Sequence, residues 1–562
     1  MAYNGLVNLF CSHALVVMLV LRIGLVEAQS VEPSQFQLDK EDLGQVEDLS
    51  ESLANALIDF SSAVQQREPK RIVRFFHDPV QATPWPASLG PSTKTIKWVS
   101  LGVPQPVPSA TLMREQLENT WEAFLSLFSE IEDARFKVKQ ARFSGEPERG
   151  IGKSGFKFFL VGRDQSNRRL WVRGDGRIEA ERTGTESWLI SVFRIERIQT
   201  LRTDVDLFSQ VALPAGVSVS LPAYGSPGNN DFVYHGAAAG DVDGDGLIDV
   251  FATGIGRNYL YRNQGSTFSD AAEDAGVAVT LSGTAPLFLD ADNDGDLDLF
   301  VAAVGEQMFF ENRLIPDGKL SFRDISQEAG VSLPAVGFSA TAADVNRDGW
   351  TDIYVTSYNR YGRVMPNSWH QASNGTPNLL FLNQKDGTFT ESAKAWGVQD
   401  RRWSYAAQFA DIDGNGLLDL YVANDFGENA LYVNLGDRFQ DRADSSGVLD
   451  PGNGMGVSFG DYNNDGHLDL YVTNMSSTAG NRILDRLFPS GTSSRSVLRK
   501  LAAGNSLFQG NSKGDFRDVS ASLGPFGAGW AWGGVFVDFD NDGWEDLYSP
   551  NGFISGKSMK DT

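Results

Sequence analysis

The pattern of apolar positions divides the chain into two parts. In the first, between about residues 40 and 200, apolar side chains recur at spacings of three and four, which is the period of one helical face. One such set comprises Val46, Leu49, Leu53, Leu57, Phe60 and Val64, and a second comprises Leu117, Trp121, Phe124, Phe128 and Ile131. Extended, β-rich runs follow at residues 156–161, 169–173 and 188–198. The sequence therefore predicts two helices followed by long strands.

From about residue 205 onward the apolar runs become short and the sequence contains repeats. Each repeat opens with a Phe-x-[Asp/polar] element that ends in Gly-Val, as in Phe322 with Gly330 and Val331. An acidic loop and an apolar strand follow, and most repeats contain a further strand. The acidic loops begin at residues 241, 290, 344, 411, 461 and 538. Four short strands per unit, repeated six times, predict the blades of a β-propeller.

The composition limits the classes of function. At 41% hydrophobic and 11% aromatic residues, the chain can bury large cores. A net charge of -24 argues against nucleic acid or an anionic membrane as the main partner and favours cations. The single cysteine, Cys11, lies in the N-terminal apolar stretch, so a mature chain cut after it has no thiolate for a metal. Oxygen or imidazole ligands must then hold any metal.

The N-terminus is typical of an export signal. Residues 14–21 form an apolar core too short to span a bilayer, and residues 26–28 end in a small residue suited to cleavage. No Lys or Arg precedes this core, so an uncleaved anchor is the alternative. No later segment has 18 consecutive apolar residues. We therefore predict a signal peptide over residues 1–28, a secreted, periplasmic or cell-surface location, and no later membrane span.

The acidic loops carry the candidate chemistry. In the first loop, Asp241, Asp243, Asp245 and Asp249 occupy positions 1, 3, 5 and 9, with Gly246 at position 6. Alternate residues of a tight loop point inward, so these oxygens converge, and the carbonyl of position 7 can add a ligand. Six or seven oxygen ligands suit Ca²⁺ better than the smaller Mg²⁺. The corresponding residues of the other loops are Asp290, Asp292, Asp294 and Asp298; Asp344, Asn346, Asp348 and Asp352; Asp411, Asp413, Asn415 and Asp419; Asp461, Asn463, Asp465 and Asp469; and Asp538, Asp540, Asp542 and Asp546.

Two features distinguish these loops from other Asp-rich sequences. An EF-hand has Glu at position 12 and flanking helices, whereas a strand-like sequence follows position 9 here. A single loop is equally compatible with an ordinary Asp/Gly turn, but six in register favour metal sites. Loops with Asp at all four positions, which begin at 241, 290 and 538, are expected to bind Ca²⁺ more tightly than those with one Asn.

These residues resemble the FG-GAP/VCBS repeats of integrin α-chain propellers, and residues 459–466, Phe-Gly-Asp-Tyr-Asn-Asn-Asp-Gly, are a near-complete instance. Residues 529–533, Gly-Trp-Ala-Trp-Gly, are closer to propellers of the cartilage acidic protein 1/UnbV type. The resemblance covers residues 205–553 and implies an extracellular, calcium-stabilised propeller for adhesion or recognition. Six repeats are visible, so we expect six or seven blades in a domain over residues 205–562. Either strands near Phe208 close the ring or the propeller is C-terminally incomplete.

The first part of the chain, residues 29–200, resembles the nuclear transport factor 2-like (SnoaL-like) α+β cone, because two helices precede a strand meander. The predicted fold class is therefore mainly β, with a calcium-binding propeller preceded by an α+β cone-like domain. Two functions stay open. The first is a binding protein for an extracellular macromolecule, either protein or acidic polysaccharide. The alternative is an enzyme acting on an extracellular polymer in the propeller funnel or the cone pocket.

Two long insertions are the candidate binding surface. Residues 357–377 and 475–504 follow the strand after an acidic loop, which places them on the rim opposite the metal. They contain Trp369, Arg482 and Arg486, whose side chains suit an anionic partner. The alternative is that the second insertion forms a helix that packs on the rim.

Overall fold

The computed structural model describes residues 40–551 except for residues 97, 145–149, 185–186, 207, 220–235, 280–281, 360–363, 477–492 and 524–530. The predicted signal peptide, Arg482 and Arg486 lie outside the described residues. The described chain forms two compact units, with the boundary between Ser209 and Gln210.

The first unit combines helices with one eight-stranded sheet. Its elements are α1 (Lys40–Gln65), α2 (Pro69–Ile72), a 3₁₀ turn (Val73–Phe75), β1 (Phe76–Ala82), β2 (Lys94–Ile96), β3 (Val99–Gly102), β4 (Ala110–Leu112), α3 (Arg114–Leu125), β5 (Phe128–Ser144), β6 (Ile151–Asp164), β7 (Arg169–Arg182) and β8 (Trp188–Thr203). The main strand order is β2-β3-β8-β7-β6-β5, and β1 pairs in parallel with β8 and antiparallel with β4. An α+β domain is thus confirmed.

The second predicted helix is wrong at its C-terminal end. It stops at Leu125, and Phe128 and Ile131 lie on β5 instead. Both side chains are buried although they are three residues apart, because the pairing of β5 with β6 shifts between Phe128 and Glu130 and again between Ile131 and Asp133. Such β-bulges turn successive side chains to the same face of a strand. The spacing of three between Phe128 and Ile131 therefore resembled the apolar pattern of a helix.

Aromatic side chains fill the interior of the first unit. Phe60 is fully buried and packs edge-on against Trp121 and Phe136, with ring centroids 5.7 and 4.8 Å away. Trp85 stacks on Phe124 at 4.2 Å. Rings in these geometries add attraction beyond the apolar area that they bury. In the described part of this unit, these side chains thus form a packed aromatic core.

The second unit consists of repeated groups of antiparallel strands. Each group, called a sheet below, follows the order of its strands in the chain. They are β9 (Ala237–Gly240), β10 (Asp249–Ala252), β11 (Tyr259–Asn263) and β12 (Phe268–Asp270); β13 (Gly283–Leu289), β14 (Asp298–Glu306), β15 (Met308–Asn312) and β16 (Phe322–Asp324); β17 (Pro334–Ala343), β18 (Asp352–Ser357), β19 (Leu379–Asn383) and β20 (Phe389–Glu391); β21 (Trp403–Ala410), β22 (Asp419–Phe426), β23 (Ala430–Asn434) and β24 (Phe439–Asp441); β25 (Gly454–Gly460), β26 (Asp469–Asn474), β27 (Ser506–Gln509) and β28 (Arg517–Asp518); and β29 (Val535–Val537) with β30 (Asp546–Tyr548). Short helices are α4 (Ala212–Ala215), α5 (Leu314–Asp317), α6 (Ala393–Trp396), α7 (Ser493–Ala503) and α8 (Ser520–Leu523).

Apolar clusters hold each sheet of the second unit against the next. Phe251 of the first sheet shares a cluster with Leu299 and Phe310 of the second, and equivalent clusters join the later sheets. The first strands β9, β13, β17, β21 and β25 each contact the first strand of the next sheet. This arrangement confirms the predicted β-propeller. The described residues contain six such groups of strands, and the second and third are also joined by pairing between the end of β14 and the start of β17.

The Phe and Gly-Val motifs join neighbouring sheets, but they do not open each unit as the sequence predicted. Phe268, Phe322, Phe389 and Phe439 each start the fourth strand of a sheet, and Phe516 directly precedes β28, so the structural blade begins after Gly-Val. Phe322 donates its backbone N–H to Ala275 O at 2.8 Å. Gly276 has φ +82°, and a Cβ there would lie 3.1 Å from Phe322 O. The glycine thus permits both the left-handed turn and the close approach of the next sheet.

The element that contains Phe208 behaves differently from the other repeats. Phe208 is 68% exposed and lies in no strand, so it does not contribute to a sheet in the described residues. Gly216 nevertheless approaches the first sheet as the other glycines do, since a Cβ there would lie 2.6 Å from Phe268 O.

We expect Gly447→Ala to destabilise the protein more than Gly436→Ala. Both glycines have positive φ, +78° and +92°, so Ala is strained at either position by roughly 1–2 kcal/mol. Only at Gly447 would the new Cβ also meet a backbone atom, Phe516 O at 2.5 Å, whereas Gly436 has open space. Thermal melting of the two variants measures the difference. Equal melting temperatures would contradict the role of Gly447 in the sheet junction.

Candidate metal centres

The six acidic loops occupy equivalent places in the second unit. Each connects the first strand of a sheet to its second strand, as residues 241–248 connect β9 to β10. Since neighbouring sheets pack with the same strand order, all six loops lie on one rim, and the connections between second and third strands lie on the other.

Backbone N–H groups shape each loop around its first aspartate. In the first loop, Asp245 N and Gly246 N donate to the two carboxylate oxygens of Asp241, at 3.1 and 2.9 Å. Leu247 N donates to Asp245 Oδ1 at 2.8 Å. The same bonds to position 1 recur in the third, fourth, fifth and sixth loops. The loop conformation thus holds the side chains at positions 1 and 5.

The carboxylates of four loops converge closely enough to hold a metal ion. One oxygen from each of three residues lies within 4.8 Å of the others in these groups: Asp241, Asp243 and Asp245; Asp290, Asp292 and Asp294; Asp411, Asp413 and Asp419; and Asp538, Asp540 and Asp542. In the second loop, Asp290 Oδ1 is buried and accepts no hydrogen bond. A buried carboxylate oxygen without a donor fits a cation ligand, so the aspartate clusters can bind a metal ion.

The aspartate at position 9 has a part in the fold that the sequence did not reveal. Asp249 is fully buried and accepts two backbone hydrogen bonds, from Val242 N at 3.1 Å and from Asn263 N at 2.7 Å. Asp298, Asp352 and Asp419 accept the same pair of bonds in their sheets. Asp546 differs, because it is exposed. Of the position-9 residues, Asp419 also belongs to a carboxylate cluster.

Asparagines at the end of the third strand connect each sheet to the preceding loop, and sequence reasoning missed them. Asn312 Nδ2 donates to Leu297 O in its own loop and, at 3.0 Å, to Val242 O in the first loop. Asn383 and Asn434 bond in the same way to Ala291 O and Val345 O. The sequence signal for them is an Asn that recurs at the end of the third strand. The hydrogen-bond partner of this Asn lies in another sheet.

Burial raises the pKa of several loop carboxyls. It raises the pKa of Asp298 to about 8 and that of Asp419 to about 7, and their backbone hydrogen bonds only partly oppose this. The pKa values of Asp352, Asp469 and Asp296, which stands at position 7 of the second loop, are raised to about 6 for the same reason. Without a cation, burial therefore shifts these groups towards the protonated form.

The first insertion on the opposite rim is anchored by aromatic contacts. Trp369 is half-buried and packs edge-on against Phe426, with ring centroids 5.1 Å apart. Tyr358 packs against Trp403 at 4.8 Å, and its hydroxyl donates to Asp425, which is 7% exposed. Trp369 thus contributes to packing as well as being a candidate ligand residue, while Arg482 and Arg486 lie outside the described residues.

Part of the second insertion is described and is helical. Helix α7 ends it, and Lys500 in this helix donates to Asp518 Oδ2 at 2.6 Å and lies 5.6 Å from the Phe508 ring centre. Lys500 therefore fixes the helix to the fifth sheet and is partly neutralised by Asp518.

The comparison with protein families identifies the repeats. A family described as FG-GAP-like repeat matches residues 241–301, 368–422, 411–472 and 497–549. The third loop, residues 344–352, lies outside the matched ranges, although it has the same hydrogen bonds. The chain carries FG-GAP-like repeats.

Curated relatives agree with the repeat assignment. The chain is 26% identical over 349 residues to cartilage acidic protein 1 from Mus musculus, which is 56% of this chain and 48% of that protein. It is 27% identical over 347 residues to the Homo sapiens protein of the same name, which is 56% of this chain and 47% of that protein. The chain thus spans about half the length of the curated relatives it matches.

Two of the solved structures that the chain resembles have low similarity to it. One is an Agrocybe aegerita lectin that recognises non-reducing terminal N-acetylglucosamine, with 13% identity, 70% of this chain, 85% of that chain and a TM-score of 0.32. Another is a nuclear transport factor 2-like superfamily protein from Salmonella enterica, with 10% identity, 27% of this chain, 91% of that chain and a TM-score of 0.18. In the described residues, no helix is long and apolar enough to cross a bilayer.

We expect the metal-free protein to lose stability as the pH rises from 5 to 8. A carboxyl whose folded pKa is raised binds its proton more tightly in the folded state, so its stabilising effect disappears as the pH passes through that folded pKa. The values of about 6 to 8 given for Asp352, Asp419 and Asp298 place the loss in this range. Melting in a chelator at pH 5, 6.5 and 8 measures it. A melting temperature that rises over this interval would contradict the assignment.

Proposed function

We propose that this chain, an FG-GAP repeat protein related to cartilage acidic protein 1, is a secreted, calcium-stabilised β-propeller that binds an extracellular macromolecule. The observation that carries the proposal is that the two rims of the propeller differ in their loops. One rim holds the converging carboxylates, and the other holds a long insertion anchored by aromatic contacts. Binding sites commonly occupy such variable loops on a rigid scaffold.

The ligand set of the loops favours Ca²⁺. It contains only oxygen atoms, from carboxylates, amides and a backbone carbonyl, which hard cations prefer. Ca²⁺ accepts six to eight oxygens in flexible geometry, whereas Mg²⁺ needs a near-ideal octahedron and retains waters. Extracellular calcium modules bind at about 10⁻⁴ to 10⁻³ M, so we expect the sites to fill in extracellular fluid. The ion would crosslink loop positions that the backbone bonds already hold in place.

Nearby charges refine the predicted ranking of the loops. Arg262 forms an ion pair with Asp243 of the first loop, and Lys385 Nζ lies 3.4 Å from Asp348 Oδ2 of the third. These cations compete with a metal ion for carboxylate charge. The second loop instead gains a fifth carboxylate, since Asp296 stands at position 7 and is 6% exposed. We therefore infer that the second loop binds most tightly, and that the first is weaker than its four aspartates indicate.

We expect Lys385→Gln to tighten metal binding at the third loop by roughly two- to fivefold, the range for partly exposed ion pairs. Terbium is the probe, because Trp350 at position 7 of this loop can sensitise its luminescence, and a Trp544→Phe background removes the corresponding tryptophan of the sixth loop. Lys394→Gln is the control. Lys394 is exposed and belongs to α6, which follows the last strand of the third sheet, away from the loop. Unchanged terbium affinity would contradict competition by Lys385, and terbium that Ca²⁺ cannot displace would contradict calcium binding.

The partner surface is proposed on the opposite rim. Residues 357–377 and 475–504 contain Arg482, Arg486, Arg499 and Trp369 in a chain whose net charge is -24. Arginine pairs bidentately with carboxylate or sulfate groups, so an acidic polysaccharide suits these insertions. Tyr358 and Trp369 hold the first insertion against the fourth sheet, which reduces the ordering that binding requires.

We expect the triple variant Trp369→Ala, Arg482→Ala, Arg486→Ala to lose at least about tenfold in affinity for heparin, since each charge-assisted hydrogen bond contributes about 1.5–3 kcal/mol. Binding is measured with Ca²⁺ present and at two salt concentrations, against neutral dextran. Arg438→Ala is the control, because Arg438 is 62% exposed and lies in the turn after β23, on the metal rim. An unchanged affinity and salt dependence in the triple variant would place the site elsewhere.

A further inference from the structure

The residue at position 4 of each metal loop has a left-handed backbone conformation. Its φ is positive in all six loops, at Gly244, Asn293, Arg347, Gly414, Asn464 and Asn541. Glycine and asparagine tolerate this left-handed region better than other residues. Position 4 stands between the candidate ligands at positions 3 and 5. A metal ion that fixes those two residues therefore also fixes position 4.

Two of these asparagines bond to the next loop on the rim. Asn293 Nδ2 of the second loop donates to Gly349 O of the third loop at 3.1 Å. Asn464 Nδ2 of the fifth loop donates to Gly543 O of the sixth loop at 2.8 Å. In both cases the acceptor is the carbonyl of position 6. The same kind of side chain therefore makes the same bond in two separate pairs of loops.

The peptide that receives this bond lies inside the neighbouring metal site. Gly543 N donates to Asp538 Oδ2 at 2.8 Å, and Trp544 N donates to Asp542 Oδ1 at 2.9 Å. In the third loop, Gly349 N and Trp350 N donate to Asp344 and Asp348 in the same way. The amide of one loop thus holds the turn that orients two candidate ligands of the next.

We propose that Asn293 and Asn464 are positioning residues that couple metal binding between loops, the second with the third and the fifth with the sixth. The inference rests on the proposed calcium function. Binding at the fifth loop fixes Asn464, whose amide then holds the Gly543 peptide before the sixth loop binds. The second ion has less conformational freedom to remove, so each ion favours the other.

The links are interrupted between the fourth and fifth loops. Position 4 of the fourth loop is Gly414, which has no side chain to donate. The other link, from the third strand to the preceding loop, uses Asn312, Asn383 and Asn434, but Gly510 stands at that place in the fifth sheet. Among the described residues, neither amide link joins these two loops. The fifth and sixth loops therefore form a block that binds metal independently of the fourth loop.

Terbium luminescence can test the coupling because the sixth loop contains its own sensitiser, Trp544 at position 7. The experiment uses the full chain in a Trp350→Phe background. Asp461→Ala removes a position-1 carboxylate from the fifth loop, and Asn464→Gly removes the linking amide. Asn464→Gly is expected to fold, because glycine occupies position 4 in the first and fourth loops. The affinity of the sixth loop is measured in the four combinations of these two changes.

We expect Asp461→Ala to weaken terbium binding at the sixth loop about fivefold when Asn464 is present, and to have no effect in the Asn464→Gly background. Asp411→Ala in the fourth loop should leave the sixth loop unchanged. Equal effects of Asp461→Ala in both backgrounds would overturn the coupling while leaving the metal sites intact. Absence of Trp544-sensitised terbium binding would overturn the proposed calcium function as well.

A gain-of-function variant gives an independent result. Gly414 has φ +72° and open space around a new Cβ, so Gly414→Asn fits the fourth loop. His467→Trp provides a sensitiser at position 7 of the fifth loop. We expect Asp411→Ala to weaken terbium binding at the fifth loop only when Gly414→Asn is present. An effect of Asp411→Ala without the new asparagine would contradict the interruption between the two blocks.

Discussion

The propeller depends on one buried interaction, the position-9 carboxylate that accepts hydrogen bonds from the backbone of both the loop and the third strand. Asp249, Asp298, Asp352 and Asp419 each do so while fully or almost fully buried. Buried carboxylates need such donors, because an unpaired charge in this environment is strongly destabilising. The interaction fixes the entrance of the second strand, the end of the third strand and the base of the metal loop together.

This constraint explains why the rims differ. On the metal rim, backbone N–H groups bond to the side chains at positions 1, 5 and 9 of the first acidic loop, and the acidic loops have the same length in each sheet. On the opposite rim, the connection between second and third strands differs in length from sheet to sheet. It varies from the single residue Gln307 between β14 and β15 to the 31 residues from Met475 to Asn505 between β26 and β27. The largest differences in length thus lie on the rim opposite the acidic loops.

The sequence predicted the repeating fold and the carboxylate clusters because both depend on local patterns. Strand alternation and the Asp spacing are visible within a dozen residues. It failed where a distant partner decides the outcome. Phe128 and Ile131 looked helical because bulges in β5 place them on one face. The linking residues Asn312 and Asn464 were missed because their acceptors belong to other sheets. The Phe and Gly-Val motif was recognised, but its place at the end of a sheet required the pairing of strands.

The junction between sheets has a consequence for how such a protein changes over evolutionary time. Beside the apolar clusters, it contains a contact made by main-chain atoms and one glycine, as in the bond from Phe322 N to Ala275 O beside Gly276. No particular side-chain pair has to match at this contact, so one unit can follow another as long as the apolar faces between the sheets are kept. Duplication of a gene segment that encodes one unit would therefore yield a compatible neighbour at once. The copies would then be free to diverge in their opposite-rim connections without losing their fit to each other.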